Sequence, residues 1–433
     1  MKFHSTKNPN QLVDLETAIF NSLPQDNGLY IPQSIPKLDK DFIDNIHKYS
    51  LPEIAYKVSH TLLGDDISAH DLEQIISNSI TFDAPLKLVE PGIYALELFH
   101  GPSLAFKDFG ARFMAQIMGY YIKKSNRPKL NILVATSGDT GSAVAQGFLG
   151  VDNINVYILY PSNKISLIQE KQLTTLGQNI TALEVNGTFD DCQKLVKQAF
   201  LDQELCAQMN LSSANSINIS RLIPQSFYYF YAYANLEPGK KAVFSVPSGN
   251  FGNLCAGILA KKMGLPIDHF IAATNINDVV VKYLQDGQYQ PRTSQSTIAN
   301  AMDVGNPSNF ARLSYLYADN VNQVRKDLSG YSYNDNEIKK IIKAVDTERG
   351  YLLDPHGAIG YMALKQYISE HDYPINGVFL ETAHPAKFSD VINPVIGREV
   401  ILPKALQEIM AKHKQSIKLE ADYLALKEFL ISK

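Results

Sequence analysis

The sequence predicts an α/β fold of two lobes with mostly parallel sheets, preceded by a helical N-terminal region. Its 433 residues are too many for one domain at about 150 residues each, so we expect two or three domains. From about residue 95, short apolar runs alternate with Gly- or Ser-rich turns and amphipathic segments. Runs that are apolar throughout are typical of parallel strands buried on both faces, with helices between them.

The N-terminal region, residues 1–80, is predicted to be mostly helical. Amphipathic stretches at Leu12–Leu23 and Asp41–Tyr49 are separated by proline-containing breaks, which end helices. At the other end of the chain, the stretch from Pro403 to Lys433 is helix-prone and mixed in charge. We therefore expect it to form a solvated closing helix.

Four strand–turn–helix units stand out after about residue 95. Their strands are predicted at Asn131–Thr136, Lys241–Pro247, Phe270–Thr274 and Gly377–Leu380, and the turns that follow read SGDTG, SGNFGN, NIND and ETAHPAKF. A further helix is expected to begin at Asp354-Pro355, an acidic N-cap followed by proline. Open parallel sheets bind ligands beyond the carboxyl ends of their strands, so these turns are the candidate site.

Composition excludes several classes of protein. Forty basic residues against 44 acidic ones leave a net charge of −4, which does not favour binding to nucleic acid or to an anionic membrane. The longest apolar run, Phe227–Ala234, is far shorter than the roughly 20 residues that a spanning helix needs, and the polar N-terminus lacks a signal peptide. Three cysteines without paired spacing favour a reducing cytoplasm, and the scattered histidines predict no metal site.

The turn Ser248–Asn253 is a candidate phosphate site. Its two glycines allow a tight backbone to present several N–H groups to one anion, and the following helix adds its N-terminal partial positive charge. The spacing matches neither the dinucleotide fingerprint nor the P-loop, so a phosphate monoester is the expected ligand. An ordinary turn between strand and helix is the alternative.

A candidate reactive amine lies in the segment LAFKDFG. Lys107 stands between Phe106 and Phe109, where partial desolvation would lower its pKa toward that of a nucleophile or base. A solvated lysine in the first turn of a helix is the alternative. A reactive amine together with a cradle for one phosphate is what a pyridoxal phosphate site requires.

Two further polar turns are candidate anion sites. Ser137 to Gly141 offers hydroxyls and N–H groups that suit a carboxylate, unless Ser137 only caps the helix. Asn215 to Arg221 includes one of only eight arginines, whose planar fork suits phosphate or carboxylate. Its alternative is a polar loop that caps a helix beginning near Ile223.

Six motifs occur in the order typical of one enzyme family. They are GLYIP, FHGPSLAFKDFG, ATSGDTGSA, NSINISR, PSGNFGN and TAHPAKF. Together they resemble pyridoxal phosphate enzymes of fold type II, which are similar to the tryptophan synthase β subunit, and within these the short bacterial and fungal branch of the threonine synthase family. The resemblance implies a smaller α/β domain at 107–220 and a larger cofactor-binding domain made of 81–106 and 221–433.

The resemblance also implies a role for each candidate residue. Lys107 would bind pyridoxal phosphate covalently and act as the catalytic base. The other cofactor contacts would come from Gly249, Asn250, Phe251, Gly252, Asn253, Thr382 and Asp139. Substrate contacts would come from Ser137, Thr140, Asn215, Ser216, Asn218 and Arg221. Many relatives in the wider fold have Asn in place of Asp139, and His384 would lie just behind the site.

The implied reaction is that of a lyase in amino-acid biosynthesis. O-phospho-L-homoserine and water would give L-threonine and phosphate, the last step of threonine biosynthesis, in a cytoplasmic monomer or homodimer. The alternative is a fold type II serine or threonine dehydratase or a cysteine synthase-like enzyme, which needs no second anion pocket. A non-catalytic relative would be expected to lack Lys107.

Overall fold

The computed structural model describes residues 1–433 and contains a two-stranded, a six-stranded and a five-stranded sheet. The N-terminal region contains β1 (Phe3–Ser5), α1 (Leu15–Asn21), β2 (Tyr30–Pro32), α2 (Lys40–Asp44), α3 (Leu51–Leu63) and α4 (Ala69–Ser79). The next part contains β3 (Leu86–Glu90), β4 (Ile93–Glu97), α5 (Lys107–Lys124), β5 (Leu130–Ala135), α6 (Asp139–Phe148), β6 (Ile154–Pro161), α7 (Leu167–Thr174), β7 (Ile180–Asn186), α8 (Phe189–Leu201), α9 (Gln203–Met209), β8 (Leu211–Ser212), α10 (Ile219–Leu222) and α11 (Phe227–Ala234).

The remaining elements are β9 (Lys241–Pro247), α12 (Gly252–Lys262), β10 (His269–Thr274), α13 (Val279–Asp286), α14 (Phe310–Leu316), α15 (Val321–Asp327), β11 (Leu328–Ser332), α16 (Asp335–Arg349), α17 (Pro355–Ser369), β12 (Ile375–Glu381), α18 (Ser389–Ile396), α19 (Lys404–Met410), β13 (Ile417–Glu420) and α20 (Tyr423–Ile431). Short 3-10 turns lie at Ile46–Lys48, Ile223–Ser226, Asn300–Met302 and Pro385–Phe388. No helix is both long and apolar enough to cross a membrane.

The six-stranded sheet forms the larger lobe. Its strand order is β11-β10-β9-β12-β4-β3, and every pair is parallel except β3 with β4. Strands β9 and β12 are neighbours, so the turns that follow them lie at the same edge of the sheet. Strand β4 lies on the other side of β12, and the chain leaving β4 runs to Lys107. The sheet order therefore gathers three of the predicted motifs.

The five-stranded sheet forms the smaller lobe, and all its strands are parallel in the order β13-β7-β6-β5-β8. The prediction of one closing helix after residue 403 was wrong, because this stretch contains α19, β13 and α20. Strand β13 pairs with β7, which would otherwise expose an unpaired edge. The expected domain division had placed all of 221–433 in the larger lobe. We propose instead that residues 417–433 belong to the smaller lobe.

The N-terminal region is less helical than expected, since β1 and β2 form an antiparallel pair. Its helices follow sequence rules closely: α3 begins with a capping box between Ser50 and Glu53 and buries an apolar face that includes Ile54, Val58 and Leu62. This face joins a hydrophobic core of 76 buried residues that also takes in α5, α11 and α12. The N-terminal helices therefore support the two helices that begin at Lys107 and at the glycine-rich turn.

Candidate active site

Lys107 lies where two predicted motifs run side by side. Phe106 N–H donates to the Thr382 carbonyl at 2.8 Å, His384 N–H donates to the Leu104 carbonyl at 3.0 Å, and Ala105 pairs with Ala383 between them. Leu104 has a φ of 56°, which is uncommon for a residue with a β-carbon and is typical of strained functional sites. This short ladder ends one residue before α5 begins and so places Lys107 beside Thr382.

The surroundings of Lys107 favour a neutral amine, mainly through burial. Its side chain is partly buried, and this burial is the main reason that its pKa falls to about 8. Asp139 opposes the shift, whereas Arg221 and Lys387 add to it because they repel a second positive charge. A substantial fraction of Lys107 is therefore unprotonated near neutral pH, as a nucleophile or base requires.

The glycine-rich turn is built to receive an anion. The N–H groups of residues 249–253 donate to no other group of the protein, and they stand at the start of the 11-residue helix α12. The Asn253 amide closes the turn by donating to the Pro247 carbonyl and accepting from Ser248 Oγ, both at 2.9 Å. Phe251 has a φ of 59°. Five free N–H groups at a helix N-terminus fit a phosphate, as the sequence predicts.

Gly249 packs too closely for any larger residue. A β-carbon there would lie 2.4 Å from the Ala301 carbonyl oxygen and 2.8 Å from Met302 Cα. Ala301 is itself held from the far side, because its N–H donates to His356 Nε2 at 3.2 Å. The glycine-rich turn therefore packs against a segment that a hydrogen bond to His356 holds in place.

Arg221 is a buried cation without a counterion. Its side chain is 2% exposed, Nη1 donates to the Ala214 carbonyl at 2.7 Å, and Nε has no partner. No carboxylate forms an ion pair with it, and burial lowers its pKa to about 10. An unpaired buried charge is costly unless a ligand compensates it, so this arrangement also fits an anion.

The segment that contains Arg221 adjoins the glycine-rich turn. Asn250 Nδ2 donates to Ser216 Oγ at 2.7 Å, and Ser216 Oγ donates to Asn215 Oδ1 at 3.2 Å. The side chain of Asn250, expected to contact the cofactor, therefore reaches toward the second anion site. A hydrogen bond thus links the segments that carry the two predicted anion sites.

The side chain of Asn218 is engaged within the protein. Its Nδ2 donates to the Ile19 carbonyl at 2.8 Å and to Ser22 Oγ at 2.6 Å. Its Oδ1 accepts from Ser220 N–H at 3.0 Å and so caps α10. All its polar side-chain atoms are thus engaged in holding α1 against α10, and its contact with the substrate stays a prediction.

The turn after β5 brings Asp139 beside Lys107. Asp139 Oδ1 accepts from Lys387 Nζ at 2.7 Å and from Gln169 Nε2 at 3.1 Å. Burial alone would raise the pKa of Asp139, but Lys387 and Lys107 hold it well below its ordinary value.

The hydroxyls of Ser137 and Thr140 flank Asp139. Ser137 is exposed and does not cap α6, so its capping alternative was wrong. Thr136 takes that role instead, accepting from Gly138 and Gly141 N–H groups at 3.0 and 2.8 Å. The hydroxyl of Ser137 is therefore free for a ligand.

Glu381, which precedes Thr382, lies against a second buried acid, Asp354. Glu381 is fully buried, and burial together with Asp354 raises its pKa well above its ordinary value. Asp354 in turn accepts from His356 Nδ1 at 2.6 Å, and His356 leads to Ala301 and the glycine-rich turn. His384 lies nearby, and burial lowers its pKa to about 4.

Sequence reasoning missed three residues of this site. Lys387 lies within the TAHPAKF motif itself. Asn309 and Arg312 belong to the segment GNPSNFAR, whose Gly, Asn, Pro and Ser content resembles that of the glycine-rich turn and could have identified it. Arg312 Nη1 donates to Asn309 Oδ1 at 2.7 Å, which leaves the buried Asn309 Nδ2 without a partner, 3.4 Å from where a β-carbon on Gly252 would lie.

Comparison with known protein families identifies the class of enzyme to which this chain belongs. Residues 80–376 match the family model described as pyridoxal-phosphate dependent enzyme. The chain is thus a pyridoxal phosphate-dependent enzyme of fold type II, and its amine and anion cradle fit that cofactor. Residues 2–80 match the threonine synthase N terminus and residues 357–430 the threonine synthase C-terminal model. The chain belongs to the threonine synthase family and is a lyase.

Individual relatives align with this chain over its whole length. Threonine synthases of Haemophilus influenzae and Escherichia coli are 45% and 44% identical to it, each with 100% of both chains covered. The crystal structure of the Escherichia coli enzyme has a TM-score of 0.91, with 100% of each chain covered. The pyridoxal phosphate-bound enzyme of Brucella melitensis has a TM-score of 0.94 at 35% identity, with 100% of this chain and 99% of the other covered.

Proposed function

We propose that this enzyme converts O-phospho-L-homoserine and water to L-threonine and phosphate. The observation that supports the substrate is Arg221, a buried cation without a counterion in a segment that is hydrogen-bonded to the glycine-rich turn. A substrate with its own phosphate needs a second anion site beside that of the cofactor.

The cofactor-binding residues are proposed from the geometry above. Lys107 would hold pyridoxal phosphate covalently, the N–H groups of residues 249–253 would bind its phosphate, and the Thr382 hydroxyl would be the partner of its ring nitrogen. Asn309 Nδ2, buried and unpartnered beside α12, adds an amide donor on the same side. When bound, the cofactor supplies an electron sink that acidifies the Cα–H of the substrate.

Lys107 then moves the protons of the reaction. Its neutral amine would take the Cα proton, a second proton would leave Cβ as phosphate departs from Cγ, and the protonated amine would later deliver a proton at Cγ. Water would then add its hydroxyl at Cβ and its proton at Cα. A pKa of about 8 suits both tasks, because the amine is readily protonated and readily freed near neutral pH. Ser137 and Thr140 orient the substrate carboxylate.

The second anion site assists departure of phosphate. Arg221, Ser216, Asn215 and the side chain of Asn250 bind the substrate phosphate, and the guanidinium stabilises the charge that this group carries as it leaves Cγ. Burial of Arg221 strengthens the interaction, since water does not screen it. The phosphate lies too far from Cα to leave by simple α,β-elimination, so binding at this position determines which bond breaks.

A dehydratase or a cysteine synthase-like enzyme is the alternative. It would share Lys107 and the glycine-rich turn, yet it has no use for an unpaired buried arginine. We further propose that the enzyme is a monomer or homodimer and that it acts in the cytoplasm. The reducing compartment is supported by three free cysteines, two of them buried.

The test compares two products. Phosphate release from O-phospho-L-homoserine should greatly exceed ammonia release from serine or threonine with the purified enzyme. Ammonia release as the faster activity would support the dehydratase alternative. Replacing the exposed Lys123 with alanine gives a matched control on α5 for effects at Lys107.

A further inference from the structure

Lys387 connects the two lobes at the candidate active site. It lies in the 3-10 turn Pro385–Phe388 of the larger lobe, and its side chain has no exposed surface. Its Nζ donates to Asp139 Oδ1 at 2.7 Å, at the start of α6 in the smaller lobe. It also donates to the carbonyl of Ser103 at 2.8 Å, in the loop that leads to Lys107. The ammonium is thus fixed between the segments that place Asp139 and Lys107.

Asp139 is the one carboxylate that balances this buried ammonium. Two other titratable groups face Lys387, namely Asp108 and His384. Burial lowers the pKa of His384 to about 4, so this imidazole is uncharged near neutral pH. Burial raises the pKa of Asp108 to about 6, so this carboxyl group is largely ionised there, but its Oδ2 accepts from Ser103 N–H at 2.8 Å and it forms no ion pair with Lys387. Breaking a buried ion pair by removing one partner is costly, since the other charge is left uncompensated.

Lys107 competes with Lys387 for the same carboxylate. The charged groups that face Lys107 are Asp139 on α6, Arg221 on α10 and Lys387 on the 3-10 turn. Without Lys387, the carboxylate of Asp139 would have the ammonium form of Lys107 as its nearest cation. An ion pair of that kind stabilises the protonated lysine and removes the free amine.

We propose that Lys387 is a positioning residue for the reaction, whose ammonium neutralises Asp139 and thereby leaves the Lys107 amine free to react. The proposal rests on the role assigned to Lys107 in the proposed function. Lys387 acts through Asp139 and needs no contact with the substrate. The pair then amounts to a neutral group beside the reactive amine, held across the two lobes.

The experiment measures the titration of Lys107 directly. Full-length cofactor-free enzyme is labelled with trace acetic anhydride over a range of pH, and the extent of acetylation of Lys107 is measured by peptide mass spectrometry, with the exposed Lys123 as internal reference. K387Q should shift the midpoint of Lys107 upward by about 1 pH unit or more, because Asp139 loses its other cation. D139N should shift it downward, and the double variant D139N/K387Q should return it toward the wild-type value.

Controls separate this role from a purely structural one. K387R keeps the charge and should keep the midpoint, and K365Q, which removes a half-exposed lysine paired with Glu90, should leave it unchanged. An unchanged midpoint in K387Q, with only a loss of stability, would overturn the proposal. The proposal would also be overturned if the midpoint in the double variant D139N/K387Q were shifted as far as in K387Q alone. Should K387Q fail to fold, D139N and the double variant give the same comparison.

The labelling uses no substrate, so its failure is distinct from failure of the proposed function. The loaded enzyme gives a second readout. The pH dependence of its visible cofactor absorbance should move in K387Q in the direction seen by labelling, and an opposite movement would contradict the proposal. Release of phosphate from O-phospho-L-homoserine tests the function separately.

Discussion

Replacing Arg221 with methionine should separate substrate use from stability. In the ligand-free protein, the guanidinium makes one hydrogen bond, to the Ala214 carbonyl, and its Nε has no partner. A hydrogen bond contributes about 1 kcal/mol, whereas burying an unpaired charge costs several kcal/mol. Methionine fills a similar volume without that cost. We therefore expect the free energy of unfolding of R221M to equal or exceed that of wild type.

The same substitution should lower the rate of the reaction. Removing one partner of a buried, hydrogen-bonded charge pair costs about 2–5 kcal/mol. At about 1.36 kcal/mol for each tenfold change, this corresponds to a loss of about 30- to 5,000-fold in kcat/KM for O-phospho-L-homoserine. The visible absorbance of the bound cofactor should remain, because the five N–H groups of the glycine-rich turn are intact.

Arg312 provides the matched control, since it is also completely buried. Its guanidinium donates to the carbonyls of Tyr30 and Ile217 and to Asn309 Oδ1. Both substitutions remove a buried charge, but R312M leaves three buried acceptors unpaired where R221M leaves one. Each unpaired acceptor costs about 1–3 kcal/mol, so R312M should be the more destabilised of the two. Urea unfolding of the cofactor-free proteins and the phosphate-release assay measure the two quantities. If R221M is destabilised as much as R312M while kcat/KM is unchanged, Arg221 has only a structural role. If R221M instead loses the cofactor, the two anion sites have been assigned the wrong way round.

Two further predictions concern the cofactor. The rate at which cofactor-free enzyme takes up pyridoxal phosphate, followed by visible absorbance, should rise with pH around a midpoint near 8, because Lys107 reacts only after losing its proton. A midpoint above pH 10 would contradict this, and Lys107→Ala should give no such absorbance at any pH. Gly249→Ala should weaken pyridoxal phosphate binding about 100-fold, since a β-carbon 2.4 Å from the rigidly held Ala301 carbonyl forces the turn to move by about 1 Å. Equilibrium dialysis measures this affinity. Gly119→Ala, which meets only a flexible Val151 methyl group at 3.3 Å, should bind normally, and equal affinity in both variants would refute the steric argument.

Local chemistry explains why much of the fold was predictable. Strand β9 was predicted at its observed bounds. For β5, β10 and β12, the predicted first residue differs from the observed one by one or two positions, and the predicted last residue by at most one. A strand buried on both faces is apolar throughout, whatever its partners are. Helix α17 begins at Pro355 after the Asp354 cap for an equally local reason.

Strands that depend on a distant partner were missed. Strand β1 is three residues long and exists because Phe3–Ser5 meets Tyr30–Pro32. Strand β13 is four residues long and largely exposed, and it forms only because β7 offers an edge more than 200 positions earlier in the chain. Neither carries enough apolar pattern of its own to predict a strand.

The chemical groups of the site can be identified from the sequence alone: an amine in the segment LAFKDFG, a turn able to bind phosphate, and an arginine in a polar segment. The directions of their side chains depend on the folded chain. The tertiary structure engages Asn218 in capping α10, leaves Arg221 without a counterion, and sets Lys387 against Asp139 across the two lobes. Motif spacing cannot report such pairings, because burial and distance between remote segments set the energy of a charge.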